Sequence, residues 1–89
     1  MSIELLVFTS PSCNPCRRLK PILKEFIKSA TELNVQIINT QENQNKARNY
    51  RVAFVPTLVW EVNGVIKKTT GFSSLDELNE IHKSLKKQD

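Results

Sequence analysis

The chain of 89 residues is shorter than the ~150 residues of a typical domain, so we predict one domain spanning residues 1–89 and no appended regulatory domain. Lysine and arginine total 13 against 9 aspartate and glutamate residues, and the net charge of +4 arises wholly within Cys13–Lys28, which begins at the first of only two cysteines. The longest apolar run is Leu5–Phe8, well short of the ~20 residues that span a bilayer. Residues 1–4 also lack the basic start of a signal peptide, so we expect no membrane association and a cytoplasmic location.

Two apolar patterns predict the first strand and the first helix. Ile3–Phe8 is a short apolar run that ends before Pro11, as expected of a buried strand. From Pro15 onward, apolar residues recur with helical spacing at positions 19, 22, 23, 26, 27 and 30. Pro21 lies within this helix and predicts a kink, because its ring opposes the carbonyl of Arg17. Most cations of this helix lie opposite the apolar stripe, which indicates a solvated face rather than a nucleic-acid surface.

The middle of the chain predicts a second strand and a short helix. Val35–Asn39 has the apolar character of a strand. Gln41–Asn49 is polar and is predicted to form a short helix, with Ala47 and the following Tyr50 facing inward. Because a helix separates the first two strands, they are expected to pair in parallel.

The last third of the chain predicts a hairpin followed by a helix. Thr57–Val62 and Val65–Thr70 flank the pair Asn63-Gly64, and such a pair favours a tight turn in which both residues have positive φ. Ser74 and Glu77 have the spacing of a capping box. The helix that follows carries apolar residues at 75, 78, 81 and 85, and lysines at 83, 86 and 87 near its negative end.

The two cysteines lie three residues apart at the predicted strand-to-helix junction, where they can form a disulfide. Unpaired backbone N–H groups at the helix start would favour the Cys13 thiolate and lower the pKa of its thiol from ~8.5. Cys16, one turn into the helix, should be more buried. We therefore expect Cys13 to attack a substrate disulfide and Cys16 to resolve the mixed disulfide that results.

Other interpretations of the cysteine pair remain open. Half of a zinc site is one, although the chain adds only His82 as a further candidate ligand, and we interpret His82 as structural. An iron–sulfur cluster bridging two chains and a pair of inert cysteines are the others. Redox chemistry is favoured, with no metal and no cofactor predicted.

Several motifs occur together along the chain: the segment Phe8–Cys16, the Pro21 kink, the segment Tyr50–Thr57, the Asn63-Gly64 turn and Gly71. In this combination the sequence resembles the thioredoxin family, and more narrowly its short thioredoxin-like and glutaredoxin-like members. The resemblance implies an α/β, thioredoxin-like fold of order βαβαββα, with a four-stranded mixed sheet flanked by helices. Compared with full-length thioredoxins, an N-terminal strand and helix are missing.

The resemblance also implies roles for residues near the cysteines. Val55-Pro56 is expected to be a cis peptide, with the Val55 backbone pairing with the substrate chain and Pro56 shaping the groove and discouraging metal binding. Phe54 is a candidate for lining that groove. Ser12 is a candidate donor to the Cys13 thiolate. Arg17 would give the thiolate electrostatic support, and Trp60 is expected in the core.

The sequence departs from the family pattern at three positions. Ser12 and Asn14 replace the usual tryptophan and glycine around the first cysteine, and Val7 replaces a buried aspartate thought to help deprotonate the second cysteine. Resolution by Cys16 is therefore expected to be slow and dependent on pH. Glutaredoxins also lack this aspartate, but neither of the two sequence segments that form their glutathione pocket is recognisable in this chain.

These observations predict a monomeric enzyme that reduces disulfides of other proteins. Its electrons would come from an external donor, either a flavin-dependent reductase or glutathione. The alternatives are a glutathione-linked glutaredoxin, and a non-catalytic binding module whose surface rather than its thiols matters to a partner.

Overall fold

The computed structural model describes residues 3–30 and 32–86. Its elements in chain order are β1 (Ile3–Thr9), α1 (Asn14–Ser29), β2 (Leu33–Asn39), α2 (Gln44–Asn49), β3 (Thr57–Val62), β4 (Val65–Thr70) and α3 (Leu75–Lys86). The predicted βαβαββα order is confirmed. Of the three lysines predicted near the end of α3, Lys87 lies outside the described residues.

The strands form one mixed sheet of order β2-β1-β3-β4. β1 pairs with β2 in parallel, as predicted, and β3 pairs antiparallel with both β1 and β4. The ends of β1 and β4 therefore meet the start of β3 at one edge of the sheet. The backbone N–H of Gly71 donates to the carbonyl of Pro56 over 2.8 Å and joins two of these segments. The loop that carries the cysteines leaves from the same edge.

The core has one layer on each face of the sheet. Under α1 and α3, Phe26 packs edge-on against Trp60 and against His82, with ring centroids 5.9 Å and 5.6 Å away. Trp60 and His82 are buried, which confirms their interpretation as core residues. On the other face α2 contributes Ala47, and Tyr50 packs against the same cluster, so their predicted inward orientation is confirmed.

The starts of two elements and the exposure of one side chain differ from the sequence expectation. β2 begins two residues early, at Leu33, because its pairing with β1 runs the whole length of that strand. α2 begins late, at Gln44, because Asn39 holds the preceding segment in a turn: its side-chain oxygen accepts the Gln41 N–H over 2.9 Å. Ile27, assigned to the apolar stripe of α1, is 42% exposed.

Two local motifs have the geometry that the sequence predicts. Asn63 and Gly64 both have positive φ, 51° and 79°, in the turn between β3 and β4. Ser74 and Glu77 form a reciprocal capping box, with each side chain accepting the other's backbone N–H over 3.2 Å. The box begins α3 at the sheet edge that also carries the cysteine loop.

Replacing Gly64 with alanine is expected to lower the free energy of unfolding by about 1 kcal/mol, because a Cβ disfavours positive φ. An added Cβ meets no heavy atom within 4 Å, so the cost is conformational rather than steric. Gly64→Asn is the matched control and should cost less, since asparagine tolerates this conformation. Urea denaturation measures the ranking, and equal losses in the two variants would contradict it.

Candidate active site

The cysteine pair is placed by the start of α1. Cys13 is the N-cap residue, with extended backbone (φ −93°, ψ 111°), and its carbonyl accepts the Arg17 N–H over 3.2 Å. The Cys13 sulfur accepts the backbone N–H of Cys16 over 3.2 Å, which satisfies a donor left free at the helix start. Cys13 and Cys16 are joined in a disulfide. Pro15 lies in the first turn, where the absence of its N–H costs no helical hydrogen bond.

The predicted difference in burial between the cysteines is absent from this disulfide form. Cys13 is 8% exposed and Cys16 is 7% exposed. Cys13 is covered because its sulfur lies 3.5 Å from the carbonyl oxygen of Val55. The two residues are distinguished instead by their surroundings, since Cys13 contacts the loop before β3 and Cys16 lines a cavity that Cys13 does not line.

The loop before β3 is held in place by hydrogen bonds at both ends. Val55-Pro56 is a cis peptide, as the resemblance implies. The Thr57 hydroxyl donates to the carbonyl of Phe54 over 2.6 Å, and the Pro56 carbonyl accepts from Gly71. These bonds leave the Phe54 side chain 71% exposed.

Sequence reasoning missed an aromatic residue at this edge of the sheet. Phe72 follows Gly71, is 42% exposed, and has the Arg18 guanidinium 5.5 Å from its ring centroid. Its position directly after Gly71, the glycine that follows β4, could have indicated its exposure at this edge of the sheet. Phe72 and Phe54 thus lie on two loops that the bond between Gly71 and Pro56 joins.

Ser12 and Arg17, two predicted site residues, adjoin the cysteines in the chain, but their side chains bond to groups other than the Cys13 sulfur. The Ser12 hydroxyl lies 3.3 Å from the hydroxyl of Ser10. The Arg17 guanidinium donates to the carbonyl of Pro11 over 3.1 Å. In this oxidised form, the backbone donor to the Cys13 sulfur is the N–H of Cys16.

A cavity of about 330 Å³ lies between the start of α1 and the end of β2. Its buried lining residues are Val7, Cys16 and Leu23, and its exposed ones are Pro11, Arg17, Lys20 and Ile37. Thr9, Ser10 and Asn39 complete the lining. Val7, the position where the resemblance would place an aspartate, therefore shares this cavity with Cys16.

Residues 3–30 and 32–86 contain neither a cluster of metal-ligating side chains nor a helix that could span a membrane. No group of three or more histidine, cysteine, aspartate or glutamate side chains is arranged to hold a metal ion there. Within the same ranges, no helix has both the length and the apolar character needed to cross a membrane.

Comparisons with known proteins agree on one family. The family model described as thioredoxin matches residues 2–86. Thioredoxin of Bacillus subtilis is 32% identical over 81 residues, which cover 89% of this chain and 78% of that protein. Thioredoxin 1 of Synechococcus elongatus is 35% identical over 86 residues, covering 85% of this chain and 80% of that protein. A solved thioredoxin mutant from Halobacterium salinarum is 30% identical, with a TM-score of 0.87 over 94% of this chain and 74% of that one.

A cysteine pair that caps a helix beside a cis-proline loop, on a mixed sheet flanked by helices, defines a dithiol–disulfide oxidoreductase. Together with the match over residues 2–86, this means that the chain belongs to the thioredoxin family. It is accordingly a protein-disulfide oxidoreductase with Cys13 and Cys16 as its disulfide-forming pair.

Proposed function

We propose that this chain reduces disulfides of other proteins, with Cys13 as the attacking thiolate and Cys16 as the resolving thiol. The observation that carries the assignment is the position of Cys13 as the N-cap of α1, where its sulfur accepts a backbone N–H. A thiolate is stabilised by such a donor and by the positive end of the helix dipole. In the disulfide form the Cys16 N–H already donates to this sulfur.

The proposed reaction has two thiol–disulfide exchanges. The Cys13 thiolate attacks one sulfur of the substrate disulfide, which forms a mixed disulfide and releases the other substrate sulfur as a thiolate. Cys16 then loses its proton and attacks the Cys13 sulfur, which releases the second substrate thiolate and forms the Cys13–Cys16 disulfide. The Val55 carbonyl, 3.5 Å from the Cys13 sulfur, would accept a backbone N–H of the substrate chain.

The surroundings of Cys13 favour a protein as the substrate. Phe54, next to the Val55 that contacts Cys13, is exposed, and so is Phe72, with Arg18 over its ring. Exposed aromatic and arginine side chains are common anchors in protein interfaces. Pro56 shapes the groove between these anchors. Arg17 and Ser12 add charge and a hydroxyl at its rim, although their hydrogen bonds in the oxidised form are to other groups.

Turnover of a protein disulfide tests this proposal. Oxidised insulin with dithiothreitol as the electron donor should be reduced catalytically by the wild-type chain and not by the Cys13→Ser, Cys16→Ser double variant. Activity only with glutathione and its reductase would favour the glutaredoxin alternative. Full biological activity of the double variant would instead favour a binding module.

The proposed cycle also requires an external electron donor and a reducing compartment. After each cycle the Cys13–Cys16 disulfide must be reduced by an external donor, either a flavin-dependent reductase or a small thiol. We place this cycle in the cytoplasm, where a reducing environment maintains the dithiol, and with the chain acting as a monomer.

Replacing Phe54 with serine is expected to raise KM for a protein substrate about fivefold and to leave reduction of a small aromatic disulfide unchanged. The reason is that a side chain 71% exposed beside Cys13 is available to bury apolar area only against a large partner. Ile66→Ser is the matched control, because Ile66 is 56% exposed but lies near the hairpin end of β4. Equal effects of the two changes would show that Phe54 does not contact the substrate.

A further inference from the structure

The two cysteines of the disulfide face different spaces. Cys13 lies against the Val55 carbonyl, at the groove proposed for protein substrates. Cys16 lines the cavity between α1 and β2, and Cys13 does not line it. The cavity therefore borders Cys16 of the disulfide and not Cys13.

The cavity has the size and polarity of a small-molecule site. A volume of about 330 Å³ is at the lower end of the range for ligand pockets. Val7 and Leu23 form an apolar floor beside Cys16, while Thr9 and Ser10 provide polar groups. The outer wall is on β2, an edge strand whose Ile37 side chain is 60% exposed.

The charged residues that line the cavity are positive, which favours an anionic ligand. Arg17 and Lys20 are both exposed lining residues, and among the described residues that line the cavity none is acidic. Arg17 is fixed by its bond to the Pro11 carbonyl. The Lys20 side chain makes no hydrogen bond or ion pair with any residue in the ranges 3–30 and 32–86. Its ammonium group is available to bind an anion.

We propose that this cavity admits a small carboxylate-bearing thiol that reduces the disulfide by attacking Cys16. This step rests on the proposed function, since it regenerates the dithiol which that function consumes. The carboxylate would bind Lys20, and the apolar floor would contact the carbon chain of the ligand. Protein substrates would then react at Cys13 and the small reductant at Cys16 of the same disulfide.

The chemistry balances with two molecules of the small thiol. The first thiolate attacks the Cys16 sulfur, forms a mixed disulfide there and expels the Cys13 thiolate. Cys13 is the better leaving group because the start of α1 stabilises its thiolate. The second thiolate attacks the sulfur of the bound small thiol, which yields the small disulfide and the Cys16 thiolate. The protein disulfide gains two electrons, and the two thiols lose them.

The rate of reduction of the oxidised chain by two small thiols tests the charge selection. At low ionic strength, and with rates expressed per thiolate, 3-mercaptopropionate should react about fivefold faster than neutral 2-mercaptoethanol. Lys20→Glu should remove this preference. Lys24→Glu is the matched control, since it makes the same change in charge one turn further along α1, outside the cavity lining. Equal preferences in the two variants would overturn the proposal.

The position of attack is tested with the single cysteine variants. The anionic disulfide 3,3′-dithiodipropionate should form a mixed disulfide with Cys16 in Cys13→Ser, and adding Lys20→Glu should slow this about fivefold. The absence of an adduct on Cys16 would overturn the proposal. Insulin reduction by the wild-type chain with dithiothreitol is measured alongside. If insulin is reduced while the thiol preference fails, only this inference is lost; if insulin is not reduced, the proposed function fails.

Discussion

Cys13→Ser is expected to lower kcat/KM for protein-disulfide reduction by at least about a thousandfold, because a serine hydroxyl is not an effective nucleophile toward a disulfide at neutral pH. Cys16→Ser should also stop turnover, but it should retain one rapid reaction per molecule, since Cys13 can still attack. Insulin reduction measures the first effect, and a single-turnover burst measures the second.

Folding provides the control for both variants. The two cysteines are nearly equally buried and each change removes the same disulfide, so the variants should have similar free energies of unfolding. A burst from Cys13→Ser and none from Cys16→Ser would reverse the assigned roles.

Val7→Asp is expected to accelerate the resolving step at least about tenfold at pH 7, because a carboxylate beside Cys16 can accept its proton. Val7 and Cys16 line the same cavity, and no acidic side chain is among the described residues that line it. In the wild-type chain, resolution should therefore become faster as pH rises, following ionisation of the Cys16 thiol. The variant should depart from this profile between pH 6 and pH 8, because the introduced carboxyl adds its own ionisation to the step.

The same substitution should destabilise the fold. Val7 is 0% exposed, so a carboxyl group placed there loses solvation and costs about 2–4 kcal/mol in the free energy of unfolding. Val7→Asn is the control, since it adds a polar group of similar size without a base. Stopped-flow measurement of resolution gives the comparison, and matching pH profiles for the wild-type chain and Val7→Asp would contradict the account.

Features set by neighbouring residues could be predicted from the sequence. The Asn63-Gly64 turn needs only two residues that tolerate positive φ, and the capping box needs only Ser74 and Glu77 at the correct spacing. The position of Cys13 at the start of α1 likewise follows from the strand that ends before it. These features depend on contacts within a few residues along the chain.

Features that depend on packing between distant segments could not be predicted. The early start of β2 depends on its pairing with β1, and the contact between Arg18 and Phe72 joins residues more than fifty positions apart. The cavity beside Cys16 depends on how the start of α1 lies over the end of β2. Equal burial of the cysteines has the same origin, because the Val55 carbonyl covers Cys13.

The central claim is that Cys13 attacks the protein substrate and Cys16 resolves the product. Trapping the mixed disulfide tests it most directly: each single variant is mixed with a disulfide-bonded protein, quenched with acid and mapped by peptide mass spectrometry. The account predicts that Cys16→Ser accumulates the substrate joined to Cys13, while Cys13→Ser accumulates none. A substrate protein joined to Cys16 in Cys13→Ser, with no adduct in Cys16→Ser, would contradict it.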